Sequence, residues 1–134
     1  MDQDANGVVP KLRDVFAGYF RIGAAVNPRT LVSSADLLAR HFNCITAENE
    51  MKFERIHPHE ETYAFEDADR LAGFAREHGM KMRGHTLVWH NQTPDWLFEK
   101  PGGGLADKAL LYARLKAHID TVVGRYKSDV FCWD

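Results

Sequence analysis

Two short stretches hold most of the side chains able to do chemistry. Residues 83–96, RGHTLVWHNQTPDW, continue a strand that opens at MKMRGHTLVW and breaks at the turn formers Asn91, Gln92, Thr93, Pro94 and Asp95. Two imidazoles, two indoles and several amides gather where a plain core strand would carry Val, Ile and Leu. His85 and Trp89 are four apart, so strand alternation predicts that they share a face, with His90 out of phase with both. Together they would form a wall for a ring, with one polar reach from the imidazole and one flat apolar face from the indole. The alternative is a buried histidine satisfied by a carboxylate, next to a core tryptophan.

The second stretch, ENEMK, sets Glu48, Asn49, Glu50 and Lys52 at the end of another apolar run. A carboxylate, an amide and an ammonium this close offer acceptors and donors suited to sugar hydroxyls. If the segment is helical, Glu48 and Lys52 are instead an i,i+4 ion pair worth about 0.3–0.5 kcal/mol. Glu48 and Glu50 make a poor acid/base dyad. Carboxyls that flank a scissile glycosidic bond stand ~5–5.5 Å apart on opposite sides of it, and two residues of one short segment cannot do that. His57-x-His59 and His85-x4-His90 have the look of metal pairs. The second is split by the face argument, and the first sits beside Pro58 with no evident third ligand, so no metal is expected.

The elements that position these groups follow from apolar periodicity. Residues 10–19 read as a helix starting at proline, 20–27 (FRIGAAVN) as a strand, and 33–42 as a helix with serine near its start. CITA, residues 44–47, is the second strand, and residues 48–56 leave it directly. Residues 66–78 form a helix with Leu71, Phe74, Ala75 and His78 on one face and Gly79 as its cap. The organising stretch is the third strand, and Gly102-Gly103-Gly104 marks a loop. Residues 106–126 form a long helix with Leu111, Leu115, Ile119, Val122 and Tyr126 as its buried stripe, and residues 129–133 start a fourth strand.

A helix followed by βαβαβαβ implies an α/β fold with a parallel sheet, and polar groups clustered after strands two and three favour a (β/α)8 barrel. No G-x-G-x-x-G follows a strand, against a dinucleotide fold. Such a barrel takes ~250 residues, whereas these 134 form one domain and end on an apolar strand. The expectation is about the first half of a barrel, truncated at strand four.

Composition narrows the rest. Hydrophobic residues at 45% and charged residues at 27% describe an ordinary globular chain, and the net charge of −2 gives no case for nucleic acid. No apolar run approaches the ~20 residues of a membrane span. The opening MDQDANGVVP is not a secretory signal, so the protein is expected in the cytoplasm unless a signal has been removed. Cys44 and Cys132 read as reduced thiols, because strands two and four lie about 9–10 Å apart at ~4.8 Å per step, beyond the ~7 Å limit of a disulfide.

TAENEMK (residues 46–52) and RGHTLVWHNQTPDW, in that order and with GAAV and FCWD at the flanks, resemble glycoside hydrolase family 10, the endo-β-1,4-xylanases. The likeness runs through essentially the whole chain. It implies retaining hydrolysis of xylan or xylo-oligosaccharides with no cofactor, and the opening is similar to that of the cytoplasmic members. By matched positions, Glu48, Asn49, Lys52, His85, Trp89 and Gln92 would hold xylose on the non-reducing side of the cut. In the family, the acid/base glutamate follows Trp-Asp of strand four after two apolar residues and then Asn, and the nucleophile lies on strand seven. Neither position falls within these 134 residues. The resemblance therefore implies an inactive fragment, whose partner is the C-terminal half of the barrel or a second copy covering the open sheet edges.

Overall fold

The computed structural model describes residues 9–134; the stretch at 1–8, on which most of the signal-peptide reading rests, lies outside them. The order is α1 (Leu12–Val15), β1 (Gly23–Val26), α2 (Thr30–Ser33), α3 (Ala35–His41), β2 (Cys44–Ala47), α4 (Phe53–Ile56) and α5 (Glu66–Glu77). Then come β3 (Lys81–Gly84), a 3₁₀ turn at Asp95–Leu97, α6 (Lys108–Tyr126) and β4 (Val130–Trp133). The four strands lie in the order β1-β2-β3-β4, every pair parallel. Parallel neighbours require a crossover between each pair, and the amphipathic segments supply it.

Alternation along the strands separates two faces. Val26, Ile45, Ala47 and Met82 point to the helices and pack with Ala68, Leu71, Ala72 and Ala75 of α5 and Val122 and Tyr126 of α6. On the opposite face Gly23 and Ala25 are exposed and Thr46 and Arg83 half-buried. The sheet is curled: Arg21, just before β1, brings its guanidinium within 4.8 Å of the Phe131 ring on β4. Strand spacing of ~4.8 Å would hold β1 and β4 of a flat sheet ~14 Å apart. A curled parallel sheet with helices on its outer side is a segment of a barrel wall.

Four expectations need correction. The first helix spans only Leu12–Val15, because Leu12, Val15 and Tyr19, though helically spaced, stay exposed and find no core. The second is two short helices that meet at Ser34, which makes no side-chain cap. Asn27 does that work for α2, its Oδ1 accepting from the Arg29 and Thr30 amides at 3.0 Å each. The third strand stops at Gly84 rather than running to Trp89. Beyond it Leu87 turns its carbonyl to the His118 Nε2 of α6, 3.2 Å away, and leaves the sheet. Last, α6 buries Arg114, His118, Val122 and Tyr126, while Leu111, Leu115 and Ile119 are only half-buried. Polar partners on neighbouring loops draw Arg114 and His118 inward.

Other signals hold. Gly79 closes α5 at φ 62° in the left-handed region, and the Met80 amide reaches the Ala75 carbonyl at 2.8 Å. A cap that sequence reasoning missed starts α6, where Asp107 accepts from the Leu110 amide at 2.9 Å. Both cysteines are free thiols, and burial pushes the Cys44 thiol up despite the nearby Arg21. Among the described residues no helix is long and apolar enough to cross a membrane.

Gly84 marks a close approach between β3 and β4. A methyl group there would fall inside the Trp133 indole, whose ring lies flat over the glycine. Gly84→Ala is expected to cost about 1–3 kcal/mol by forcing that ring aside. A denaturant midpoint equal to wild type would show that Trp133 can move freely.

Candidate functional site

All six predicted binding residues lie at the C-terminal ends of β2 and β3 or in the loops that leave them. Glu48 follows β2 directly and extends its ladder, its amide donating to the Val26 carbonyl at 2.8 Å. Its carboxylate Oε2 accepts from Asn27 Nδ2 at 2.6 Å. Asn27 is therefore bridged, its oxygen fixed on the start of α2 and its nitrogen on Glu48. Glu48 and His85 both line one open cavity of about 590 Å³ on the concave face of the sheet.

Lys52 is the node of the site. Its Nζ donates to Asn49 Oδ1 at 2.9 Å and to Gln92 Oε1 at 2.7 Å, and lies 5.2 Å from the centre of the Trp89 ring. One ammonium thus joins the loop after β2 to the loop after β3, while Trp89 offers it a cation–π contact. Gln92 sits at φ 53°, a conformation that costs a side-chain-bearing residue about 1 kcal/mol or more. The Glu54 amide, donating to the Gln92 carbonyl at 2.9 Å, and the Lys52 contact oppose that strain. Gln92 is set from both ends.

His85 lies 6.3 Å from Trp89 between ring centres, so the two do meet. The reason is not strand alternation, since both follow the end of β3. His90, expected out of phase, packs edge-on against Trp89 at 5.3 Å. The Asp134 carboxylate takes His85 Nδ1 at 3.1 Å and Arg83 at 2.6 Å. Burial pulls the Asp134 carboxyl up, but the His85 hydrogen bond and the charges of Arg83 and His85 outweigh it and hold the group below its ordinary range. A carboxylate only accepts, so Nδ1 of His85 carries a proton and Nε2 is the nitrogen left for a ligand.

Glu48 and Glu50 line different cavities and do not face each other across a common cleft. Glu50 is buried, accepts from the Asn49 amide at 3.0 Å, and lines a separate cavity with Glu54 and Arg55. Sequence reasoning missed Asn27 and Asp134 as partners of the site. A signal existed for both: each immediately follows a parallel strand, as Glu48 follows β2.

A carboxylate, an amide pair, an ammonium, an imidazole and an indole face thus share one rim, a constellation that fits a pyranose with its hydroxyls and C–H face. The sequence profile of glycosyl hydrolase family 10 matches residues 11–134. The chain belongs to glycosyl hydrolase family 10. That family folds as a (β/α)8 barrel, of which this chain matches the N-terminal portion.

Family 10 relatives agree closely. Endo-1,4-beta-xylanase B of Paenibacillus barcinonensis is 52% identical over 126 residues, covering 94% of this chain and 38% of that protein. The solved structure of xylanase XynB from the same organism, complexed with a conduramine derivative, superposes with a TM-score of 0.92, again over 94% and 38% of the two chains. TsXylA, an intracellular xylanase from Thermoanaerobacterium saccharolyticum, superposes with a TM-score of 0.89 at 44% identity, over 94% of this chain and 42% of that one. The chain therefore spans about two fifths of the length of these family 10 relatives.

Proposed function

We propose that this chain builds the non-reducing-side binding wall of a retaining endo-1,4-β-xylanase acting on xylan or xylo-oligosaccharides. The observation that carries the reading is the Lys52 ammonium, bound to Asn49 and Gln92 and standing over Trp89. In this reading Glu48, Asn49 and Lys52 grip xylose hydroxyls, and Gln92 holds Lys52 in register. Trp89 lies against the C–H side of the reacting sugar, and His85 hydrogen-bonds one of its hydroxyls through Nε2. These groups are held before substrate arrives, so binding energy goes into orientation and into contacts that tighten in the transition state.

The acid/base and nucleophilic glutamates, on the same reading, come from the β/α units that complete the barrel and pair with the outer edges of β1 and β4. A second copy meeting those edges would assemble the binding wall without the two carboxylates. A cytoplasmic location goes with the reading, by analogy with the intracellular relative.

The 134-residue polypeptide alone is expected to leave xylotetraose uncleaved. With the remaining units supplied, for instance from the Paenibacillus enzyme, it is expected to cleave it with retained anomeric configuration, read by NMR of the fresh product. Turnover by the 134 residues alone would refute the placement of the two carboxylates. An assembled barrel that leaves xylo-oligosaccharide intact would refute the activity.

A further inference from the structure

Behind the sugar wall, α6 buries two polar side chains one turn apart, Arg114 and His118. The Arg114 guanidinium grips Glu60 with two bonds of 2.6 Å and donates to the carbonyls of Trp96, Leu97 and Glu99. The His118 ring is fully buried, stacked 3.6 Å from Phe53. Its Nδ1 lies 3.1 Å from Nδ1 of His57, which is itself buried at the end of α4. The outer nitrogens face carbonyls: His57 Nε2 meets Glu60 O at 3.0 Å, and His118 Nε2 meets Leu87 O at 3.2 Å.

These contacts constrain the protons. Carbonyl oxygens only accept, so the two outer contacts each need an N–H, and the central one needs a third. Two neutral imidazoles carry two. Burial holds both rings below their ordinary range, His118 at about 4, so the pair is neutral near neutral pH. If His57 donates from Nδ1 to His118 Nδ1, the His118 proton must sit on Nε2, facing Leu87. The Glu60 carbonyl is then the contact left without a proton.

Leu87 O is two residues before Trp89 and five before Gln92. We propose that His118 is protonated on Nε2 and is a positioning residue for the sugar wall. Its Nε2–H holds the Leu87 carbonyl and so fixes where the loop presents Trp89 and Gln92. This rests on the sugar-binding reading above and adds a residue that touches no sugar. The same buried knot ties the loop at its far side, where Trp96 Nε1 donates to the His57 carbonyl at 3.2 Å.

Two substitutions separate positioning from packing. His118→Gln keeps a donor near the Nε2 position, able to reach Leu87 O. His118→Asn keeps a polar atom only near Nδ1, toward His57. Both lose the ring stacked on Phe53, so a general loss of stability is common to the two. In the complete barrel, xylotriose affinity is expected within about threefold of wild type for Gln and about tenfold weaker for Asn, with faster amide exchange across residues 87–92 in Asn only. Equal affinity and equal exchange in the two variants would overturn the proposal. If wild type binds no xylotriose, the sugar reading fails, and exchange across the loop still decides whether His118 holds it. Imidazole ¹⁵N shifts of wild type decide without any variant: a proton on Nε2 of His118 supports the proposal, and an Nδ1–H tautomer ends it.

Discussion

Replacing Lys52 by methionine is expected to lower kcat/KM of the complete barrel on xylo-oligosaccharide by about 100-fold. Methionine keeps most of the stem but deletes the ammonium that donates to Asn49 Oδ1 and Gln92 Oε1. Charge-assisted hydrogen bonds contribute about 1.5 kcal/mol each or more, so two sum to about 3 kcal/mol, or two decades at ~1.4 kcal/mol per decade. The loss should appear in kcat as well as KM, because freeing Gln92 and Trp89 misplaces the wall against the reacting ring. The two bonds are within the protein, so the melting temperature should fall as well, by an amount that solvent reduces because Lys52 is only half-buried. Steady-state kinetics within threefold of wild type would remove Lys52 from the centre of the site.

Arg114→Leu should cause the largest loss of stability, about 3 kcal/mol in a denaturant titration. The side chain is 6% exposed and holds the Glu60 carboxylate together with three loop carbonyls. Leucine fills part of the volume but leaves those acceptors short of a donor, and breaking a buried pair costs more than the pair contributed. The Arg114 bonds hold the Glu60 carboxyl below its ordinary range, although Glu60 itself is 40% exposed and partly screened by solvent. Arg70→Ala is the control: Arg70 and its partner Asp67 are 62% and 47% exposed, and a change below about 1 kcal/mol is expected. Similar losses for the two arginines would mean that the Arg114 carbonyl contacts contribute nothing.

Legibility in the sequence followed how local each signal was. CITA is β2 over all four of its residues, because a short apolar run between a helix and a polar cluster has few other uses. Gly79 was readable because a left-handed cap needs little beyond its own φ. One rule about strand ends singled out Glu48, Asn49, Lys52, His85 and Trp89, whereas Gln92 came only from the resemblance to family 10, and His85 and Trp89 meet for a different reason than alternation. What escaped depends on partners distant in the chain. The leucines of α6 announced a stripe, yet Arg114 and His118 turn inward because Glu60 and Leu87 wait there, and periodicity carries no record of either. The first helix failed in the opposite sense: Leu12, Val15 and Tyr19 had the spacing without a surface to bury against.

The strand order has a consequence for how the polypeptide assembles. Because β1, β2, β3 and β4 are neighbours in the same sequence as they emerge from the ribosome, each newly made strand can dock on an edge already in place. No strand must be held open for a later one to slot between two others. Synthesis at about 5–20 residues per second lets early segments organise first, and loop closure between adjacent units spans short stretches of chain. The wall can thus grow vectorially, one strand and its covering helix at a time.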